Sequence, residues 1–151
     1  MEIRYAGGQD LDWLARHDTH IAYIELQRAI QYRRVYLAEE EGNPIGWLRY
    51  HLFWDQIPFM NLLYLLEEAR GKGFGRQLVT YWEQDMKQQG YSRLLTSTQS
   101  NEFAQHFYTR LGYQAIGGFR LEHEPYELIF EKIWSGGESH ALLSNANGSG
   151  N

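Results

Sequence analysis

Three cations and three glycines are interleaved in Arg70-Gly71-Lys72-Gly73-Phe74-Gly75-Arg76, a segment whose residue types suit the binding of a phosphate group. Glycines let a backbone approach an anion closely and take φ > 0. Where a helix starts on such a segment, its first N–H groups lack partners and its dipole adds partial positive charge. Spacing separates this segment from two common phosphate loops. A nucleoside-triphosphate loop reads G-x-x-x-x-G-K-[ST], and no Lys-Ser or Lys-Thr follows these glycines. A dinucleotide loop reads G-x-G-x-x-G with an acidic residue roughly 20 positions on, and the spacing here differs. A solvated Gly-rich turn before a helix is the plainer alternative, and the flanking elements argue against it.

Upstream, Met60-Asn61-Leu62-Leu63-Tyr64-Leu65-Leu66 is a short apolar run between Pro58 and the Glu67-Glu68 pair, and reads as a buried strand. Downstream, Phe74, Leu78, Trp82 and Met86 recur every four residues, with Val79 and Tyr81 widening the stripe and Glu83 mostly off it. That spacing predicts an amphipathic helix ending near Gly90. The glycines therefore join a strand to a helix, as an anion site requires.

The rest of the chain supplies a frame. Residues 2–6 read as a first strand, and Asp10 to His17 and Thr19 to Tyr32 as two helices with Asp10 and Thr19 as N-caps. Arg34 to Glu39 and Ile45 to Phe53 alternate as two strands around the turn Glu41-Gly42-Asn43-Pro44, and Trp54 to Pro58 reads as a loop. A strand over Arg93 to Ser97 precedes a helix over Asn101 to Leu111, with Phe103, Phe107 and Leu111 inward, Tyr108 at the edge and Gly112 at C′. Gln114 to Phe119 and Tyr126 to Trp134 close the domain as strands. The fold class is α/β of the α+β kind: a mixed, mostly antiparallel sheet with helices on both faces. Residues 1–134 form the expected domain, and the Gly-, Ser- and Asn-rich stretch 135–151 reads as a tail.

Composition narrows the function classes. The chain has 151 residues, 43% hydrophobic and 15% aromatic, enough for a core and incompatible with disorder throughout. It has no cysteine, which removes disulfides, Cys-ligated zinc and a cysteine nucleophile. The net charge of −5 argues against nucleic acid as a partner. No apolar run is long enough for a membrane span and the start is no secretory signal, so we expect no membrane partner and a cytoplasmic location. His17 and His20 have the spacing of metal ligands, but no third ligand is evident and no metal is expected.

Several motifs together resemble the GCN5-related N-acetyltransferase (GNAT) family. Its signature Q/R-x-x-G-x-G/A is met by Arg70, Gly73 and Gly75 between a strand and a helix. A second feature, an Asn with a Tyr seven residues later and then Leu/Phe-Gly-Phe/Tyr, is met by Asn101, Tyr108 and Leu111-Gly112-Tyr113. The opening Ile3-Arg4-Tyr5-Ala6 and Asp10-Leu11-Asp12-Trp13-Leu14 also match. The resemblance covers roughly residues 1 to 134.

The resemblance implies acetyl-CoA as cosubstrate and direct transfer of acetyl to a primary amine, here that of a small molecule. A protein N-terminal or lysine acceptor stays open, as does a non-catalytic acyl-CoA sensor. The CoA pyrophosphate would lie on the backbone of Gly71, Lys72, Gly73, Phe74, Gly75 and Arg76, with Arg70 beside it. Pantetheine would pair with Leu63, Tyr64 and Leu65, and Asn101 would contact pantetheine or the sulfur side. Tyr108 is the candidate acid, and the Leu65 N–H the candidate oxyanion donor. Glu67 and Glu68 are candidate bases, with a solvated carboxylate pair or a water chain as alternatives. Relatives that acetylate protein N-termini often carry a Glu where this chain has Thr96.

The same likeness frames an acceptor pocket with Trp13, His17, His20, Tyr23, Trp54, Asp55, Phe59, Glu122, His123 and Glu124. Aromatics and carboxylates would suit an amine cation, unless the former are core and the latter solvated. Trp54 and Phe59 suggest a closed pocket. A homodimer stays open.

Overall fold

Period-two and period-3.6 patterns build seven strands and four helices in the computed structural model, which describes residues 1–134. The tail expected over 135–151 lies outside the described residues. The strands are β1 (Glu2–Tyr5), β2 (Val35–Glu40), β3 (Asn43–Phe53), β4 (Ile57–Leu65), β5 (Arg93–Gln99), β6 (Gln114–Phe119) and β7 (Glu127–Ile133). The helices are α1 (Leu11–His17), α2 (Tyr23–Gln31), α3 (Phe74–Gln88) and α4 (Ala104–Arg110). The strand order is β1-β2-β3-β4-β5-β7-β6. Pairing is antiparallel at β1–β2, β2–β3, β5–β7 and β6–β7, and parallel at β4–β5, where Phe59 meets Leu95 and Met60 meets Thr96. This is the mixed, mostly antiparallel sheet that the sequence predicts. No helix among the described residues is long and apolar enough to cross a membrane.

Two units divide the described chain: Met1–His51 with Asn61–Trp82, and Leu52–Met60 with residues 83–134. In the first, alternation along β2 sends consecutive side chains to opposite faces. Val35 and Leu37 join Leu14, Leu26, Ile30 and Trp47 in a cluster with α1 and α2. Tyr36 turns the other way and meets Tyr81 of α3 edge-on at 5.7 Å. Tyr50 likewise meets Trp82 at 5.9 Å. Helices thus cover both faces of this sheet portion. The β2–β3 turn has φ of 53° at Glu41 and 79° at Gly42, the left-handed pair of a tight two-residue hairpin. Pro44, expected in that turn, instead belongs to β3 and pairs with Glu39.

The caps expected at Asp10 and Thr19 both fail to form, and in each case a carboxylate at or beside the position is drawn to an arginine. Asp10 accepts two hydrogen bonds from Arg4 at 2.7 and 2.9 Å and one from the Gly7 N–H at 2.8 Å, so it does not cap α1. Thr19 is not a cap either, because α2 starts only at Tyr23 with Ala22 before it. The preceding Asp18 is drawn inward to Arg49 at 2.7 Å and to the Trp47 indole at 3.0 Å. Its other oxygen accepts the His20 N–H, which holds 18–20 as a turn.

The second unit packs around Tyr108, Tyr113 and Phe130. Helix α4 ends in a Schellman motif: the Tyr113 N–H bonds the Tyr108 carbonyl at 3.0 Å and the Gly112 N–H bonds that of Thr109 at 3.1 Å. Gly112, at φ 94°, takes the left-handed C′ position as expected. Glu83, expected mostly off the apolar stripe of α3, is buried instead. It accepts from Lys132 at 2.8 Å and from the Tyr113 hydroxyl at 3.2 Å. Burial, with the Glu83 charge beside it, pushes the Tyr113 phenol far above its usual range. We expect Glu83→Ala to lower unfolding free energy by about 3 kcal/mol, at the lower end for breaking a buried pair because Lys132 is partly exposed. Urea denaturation measures this, and a loss below about 1 kcal/mol would contradict it.

Candidate active site

The glycine segment begins where β4 stops. A short 3-10 turn, Glu67–Ala69, leads to Arg70 in extended conformation, and α3 begins at Phe74. Gly71 and Gly73 sit at φ 75° and 83°, and a Cβ at either would meet nothing within 4 Å. Their requirement is therefore conformational rather than steric, since other residues enter this region at a cost of roughly 1–2 kcal/mol. Gly75 differs from the expectation of a third loop glycine, because it is the second residue of α3.

With the chain turned this way, the amides of Phe74, Gly75 and Arg76 occupy the first turn of a 15-residue helix and have no acceptor within it. Lys72 and Arg76 are exposed, and among the described residues neither pairs with a carboxylate. Arg70 is occupied differently. Its Nε donates to the Leu65 carbonyl at 3.0 Å and its guanidinium lies 5.3 Å from the centre of the Tyr64 ring. It ties the turn to the end of β4.

Leu63, Tyr64 and Leu65 lie at that end, and a residue which sequence reasoning missed sets its position. A Cβ at Gly46 would fall 2.5 Å from Leu65 Cδ2 and 2.6 Å from the Tyr64 carbonyl oxygen. Only glycine allows β3 to approach β4 this closely. The signal available was a Gly inside an apolar strand, a frequent mark of close backbone approach. Glu67 and Glu68 are exposed on the 3-10 turn.

In the second unit, Asn101 and Tyr108 both depart from expectation. Asn101 is exposed and lies outside α4, whose N-cap position is Phe103. The turn over 100–103 is held instead by Thr98 Oγ1 donating to Glu102 at 2.9 Å and Gln105 Nε2 donating to the Ser100 carbonyl at 2.9 Å. Because the helix starts three residues late, its buried face changes. Phe103, expected inward, is 88% exposed, while Tyr108, expected at the edge, is 6% exposed. The Tyr108 ring lies 5.3 Å from Phe107, 5.8 Å from Tyr113 and 6.1 Å from Phe130.

The Tyr108 hydroxyl lies near the Thr96 side chain, and burial pushes its phenol up to about 12. Thr96 Oγ1 in turn donates to the Met60 carbonyl at 3.1 Å. Thr96 is therefore a neighbour of Tyr108, a placement the sequence did not suggest.

The residues expected around the acceptor are variously engaged. Trp13 stacks on His17 at 4.0 Å and meets Trp47 edge-on at 5.6 Å, and His17 Nδ1 lies 2.7 Å from the Trp13 carbonyl. His20 and Tyr23 are exposed. Trp54 and Asp55 form the β3–β4 hairpin tip at φ 55° and 61°. Trp54 is 74% exposed, which corrects the expectation of a closed wall there. Its indole rests on Phe53 at 4.8 Å, and Phe53 lies 6.1 Å from Phe59. Glu122 and His123 are exposed, and Glu124 accepts from Gln99 at 3.3 Å. Among the described residues, no three His, Asp or Glu side chains converge as a metal site would need.

A positive-φ glycine turn delivering free amides and unpaired cations at a helix start matches what a diphosphate needs. The model of the Acetyltransferase (GNAT) family matches residues 8–113, and the chain belongs to this family. It is an acetyl-CoA-dependent N-acetyltransferase of GNAT type.

Solved structures with the same fold include the ribosomal-protein-alanine N-acetyltransferase from Brucella melitensis, at 20% identity and TM-score 0.74, covering 89% of this chain and 100% of that one. Arabidopsis thaliana Naa50 in complex with the bisubstrate analogue CoA-Ac-MVNAL is similar at 16% identity and TM-score 0.74, over 88% and 98%. The PaiA N-acetyltransferase from Thermoplasma acidophilum in complex with coenzyme A is similar at 17% identity and TM-score 0.63, over 88% and 98%. No curated protein matches the chain in sequence.

Proposed function

We propose that the protein moves acetyl directly from acetyl-CoA to the primary amine of a small molecule. The observation that carries the cosubstrate half is the turn at Gly71 and Gly73, which opens α3 with Lys72 and Arg76 free of carboxylate partners. When bound, acetyl-CoA supplies an activated acetyl thioester. In this reading the first-turn amides of α3 and the Lys72 and Arg76 side chains hold its diphosphate. Arg70 stays on the Leu65 carbonyl and stiffens the turn. Leu63 to Leu65 give the pantetheine arm a strand edge, so that binding at the charged end positions the distant reacting carbon.

Tyr108 is assigned as the proton donor. With its phenol at about 12, it stays protonated at any physiological pH and has a proton to offer the departing sulfur. The absence of cysteine leaves no thiol to carry an acyl-enzyme, which favours direct transfer. Tyr108→Phe is expected to lower kcat by about 100-fold with CoA affinity unchanged. Steady-state kinetics and calorimetry check this, and an unchanged kcat would reduce Tyr108 to packing.

A second reading, acetylation of a protein N-terminus, draws support from the exposed Trp54 hairpin, which leaves room for a longer acceptor. The Brucella melitensis neighbour is named as a ribosomal-protein-alanine N-acetyltransferase. Thr96 favours the small-molecule reading, because a threonine cannot act as the base where such relatives often carry Glu. Thiol release from acetyl-CoA across a panel of small amines and peptides separates the two. Turnover of peptides alone would overturn the small-molecule assignment.

A further inference from the structure

The first unit contains a cleft of about 460 Å³ between α2, β3 and β4, into which Arg28, Arg34 and Arg49 converge with His51 and Asn61. In a chain of net charge −5 this is a local excess of cations. Two of the three are neutralised. Arg28 pairs with Glu25 at 2.8 Å, and the buried Arg49 spends its Nε and one Nη on Asp18.

Arg34 has no carboxylate partner among the described residues, and its guanidinium lies 5.3 Å from the centre of the Tyr32 ring. The remaining Nη1 of Arg49 makes no hydrogen bond among the described residues. A cleft with one uncompensated guanidinium and a second whose free N–H groups are fixed by a buried carboxylate is built for an oxyanion, since the planar fork matches carboxylate and phosphate oxygens.

We propose that this cleft takes the anionic group of the acceptor, so that the preferred acceptor is an amine bearing a carboxylate or a phosphate. The inference rests on the acetyl-transfer reading above. It follows from the place of Asn61, which lines the cleft and stands two residues before Leu63 on β4. Two residues of strand span about 7 Å. An acceptor anchored by its anion at Arg34 and Arg49 therefore has its amine within a short carbon chain of the strand assigned to pantetheine.

The test titrates the full-length protein with acetate and, separately, inorganic phosphate, following arginine side-chain Nε–H signals by NMR. The Arg34 and Arg49 signals are expected to shift, and Arg34→Gln to weaken that binding by at least about tenfold, with Arg34→Lys in between. A response to phosphate without one to acetate, or the reverse, identifies the anion.

In parallel, β-alanine, phosphoethanolamine and β-alaninamide, which keeps the amine and lacks the anion, are compared as acceptors with acetyl-CoA. An anionic acceptor is expected to exceed the amide by at least about tenfold in kcat/KM, mainly through KM, and Arg34→Gln should erase that preference. Still arginine signals, or an amide acetylated as well as its charged counterparts, would overturn the inference and leave the acetyltransferase reading intact. If none of the three is turned over, the arginine titration decides alone. Failure to bind CoA would instead strike the reading beneath it.

Discussion

Asp18→Ala is expected to cost about 3–5 kcal/mol of unfolding free energy. The Asp18 side chain is fully buried and its Arg49 partner is 7% exposed. Removing the carboxylate strands a guanidinium in the interior and leaves the Trp47 indole N–H without its 3.0 Å acceptor. Against a typical domain stability of about 5–15 kcal/mol, that is a fifth or more of the total. Denaturant midpoints measure it, and a loss below about 1 kcal/mol would contradict the account. The double variant Asp18→Ala, Arg49→Met should recover at least half, because replacing both members of a buried pair by apolar groups is far milder than breaking it.

Acid should reproduce part of this effect. Burial pushes the Asp18 carboxyl up, but Arg49, the His20 N–H and the Trp47 indole outweigh it and hold the group below the usual carboxylate range. Asp10 is likewise lowered, first by Arg4. A depressed folded-state value means the stabilisation is complete above the unfolded value of roughly 4 and fades as pH falls through the folded one. Stability should therefore decline below about pH 4, with a smaller decline in the Asp18→Ala variant.

Gly73→Val is the change expected to damage function most. At φ 83° a β-branched residue is a severe outlier, and the turn must rearrange to accept it. Nothing lies within 4 Å of the position, so the fold should tolerate the side chain itself while the turn loses its shape. Losing two hydrogen bonds to a charged phosphate, each worth roughly 1.5–3 kcal/mol, implies at least about a 100-fold drop in CoA affinity. The melting temperature should change little by comparison. Gly75→Ala is the control: Gly75 is helical, and alanine suits a helix. Equal loss from both variants would mean that crowding rather than backbone shape governs the site.

How far these features were legible from residues alone depends on how local their causes are. The strand, glycine turn and helix around Arg70 to Arg76 were readable because glycine spacing, apolar period and charge all act within a few positions. The hairpin at Glu41 and Gly42 was readable for the same reason. What escaped depended on partners far along the chain. Asp18 looks like ordinary turn chemistry until Arg49, 31 positions away, claims it and delays α2. Glu83 looks solvated until Lys132 and Tyr113 meet it.

Asn101 matched a motif by spacing, yet Ser100, Thr98 and Glu102 set the turn and move the start of α4, which carries Tyr108 from the rim into the core. Trp54 was read as closing a pocket because it is bulky, whereas the turn over 54–56 that it occupies holds it out in solvent. Gly46 was passed over as one more strand residue, although its missing Cβ sets the spacing of β3 and β4.

The central claim is that the segment from Gly71 to Arg76 recognises a diphosphate. Calorimetric titration with coenzyme A and, in parallel, with pantetheine, which has the same thiol arm and no phosphate, tests it most directly. The account predicts saturable heat with coenzyme A at micromolar concentrations and at least about 100-fold weaker binding of pantetheine. Pantetheine binding as tightly as coenzyme A, or no heat from coenzyme A at millimolar concentration, would contradict it.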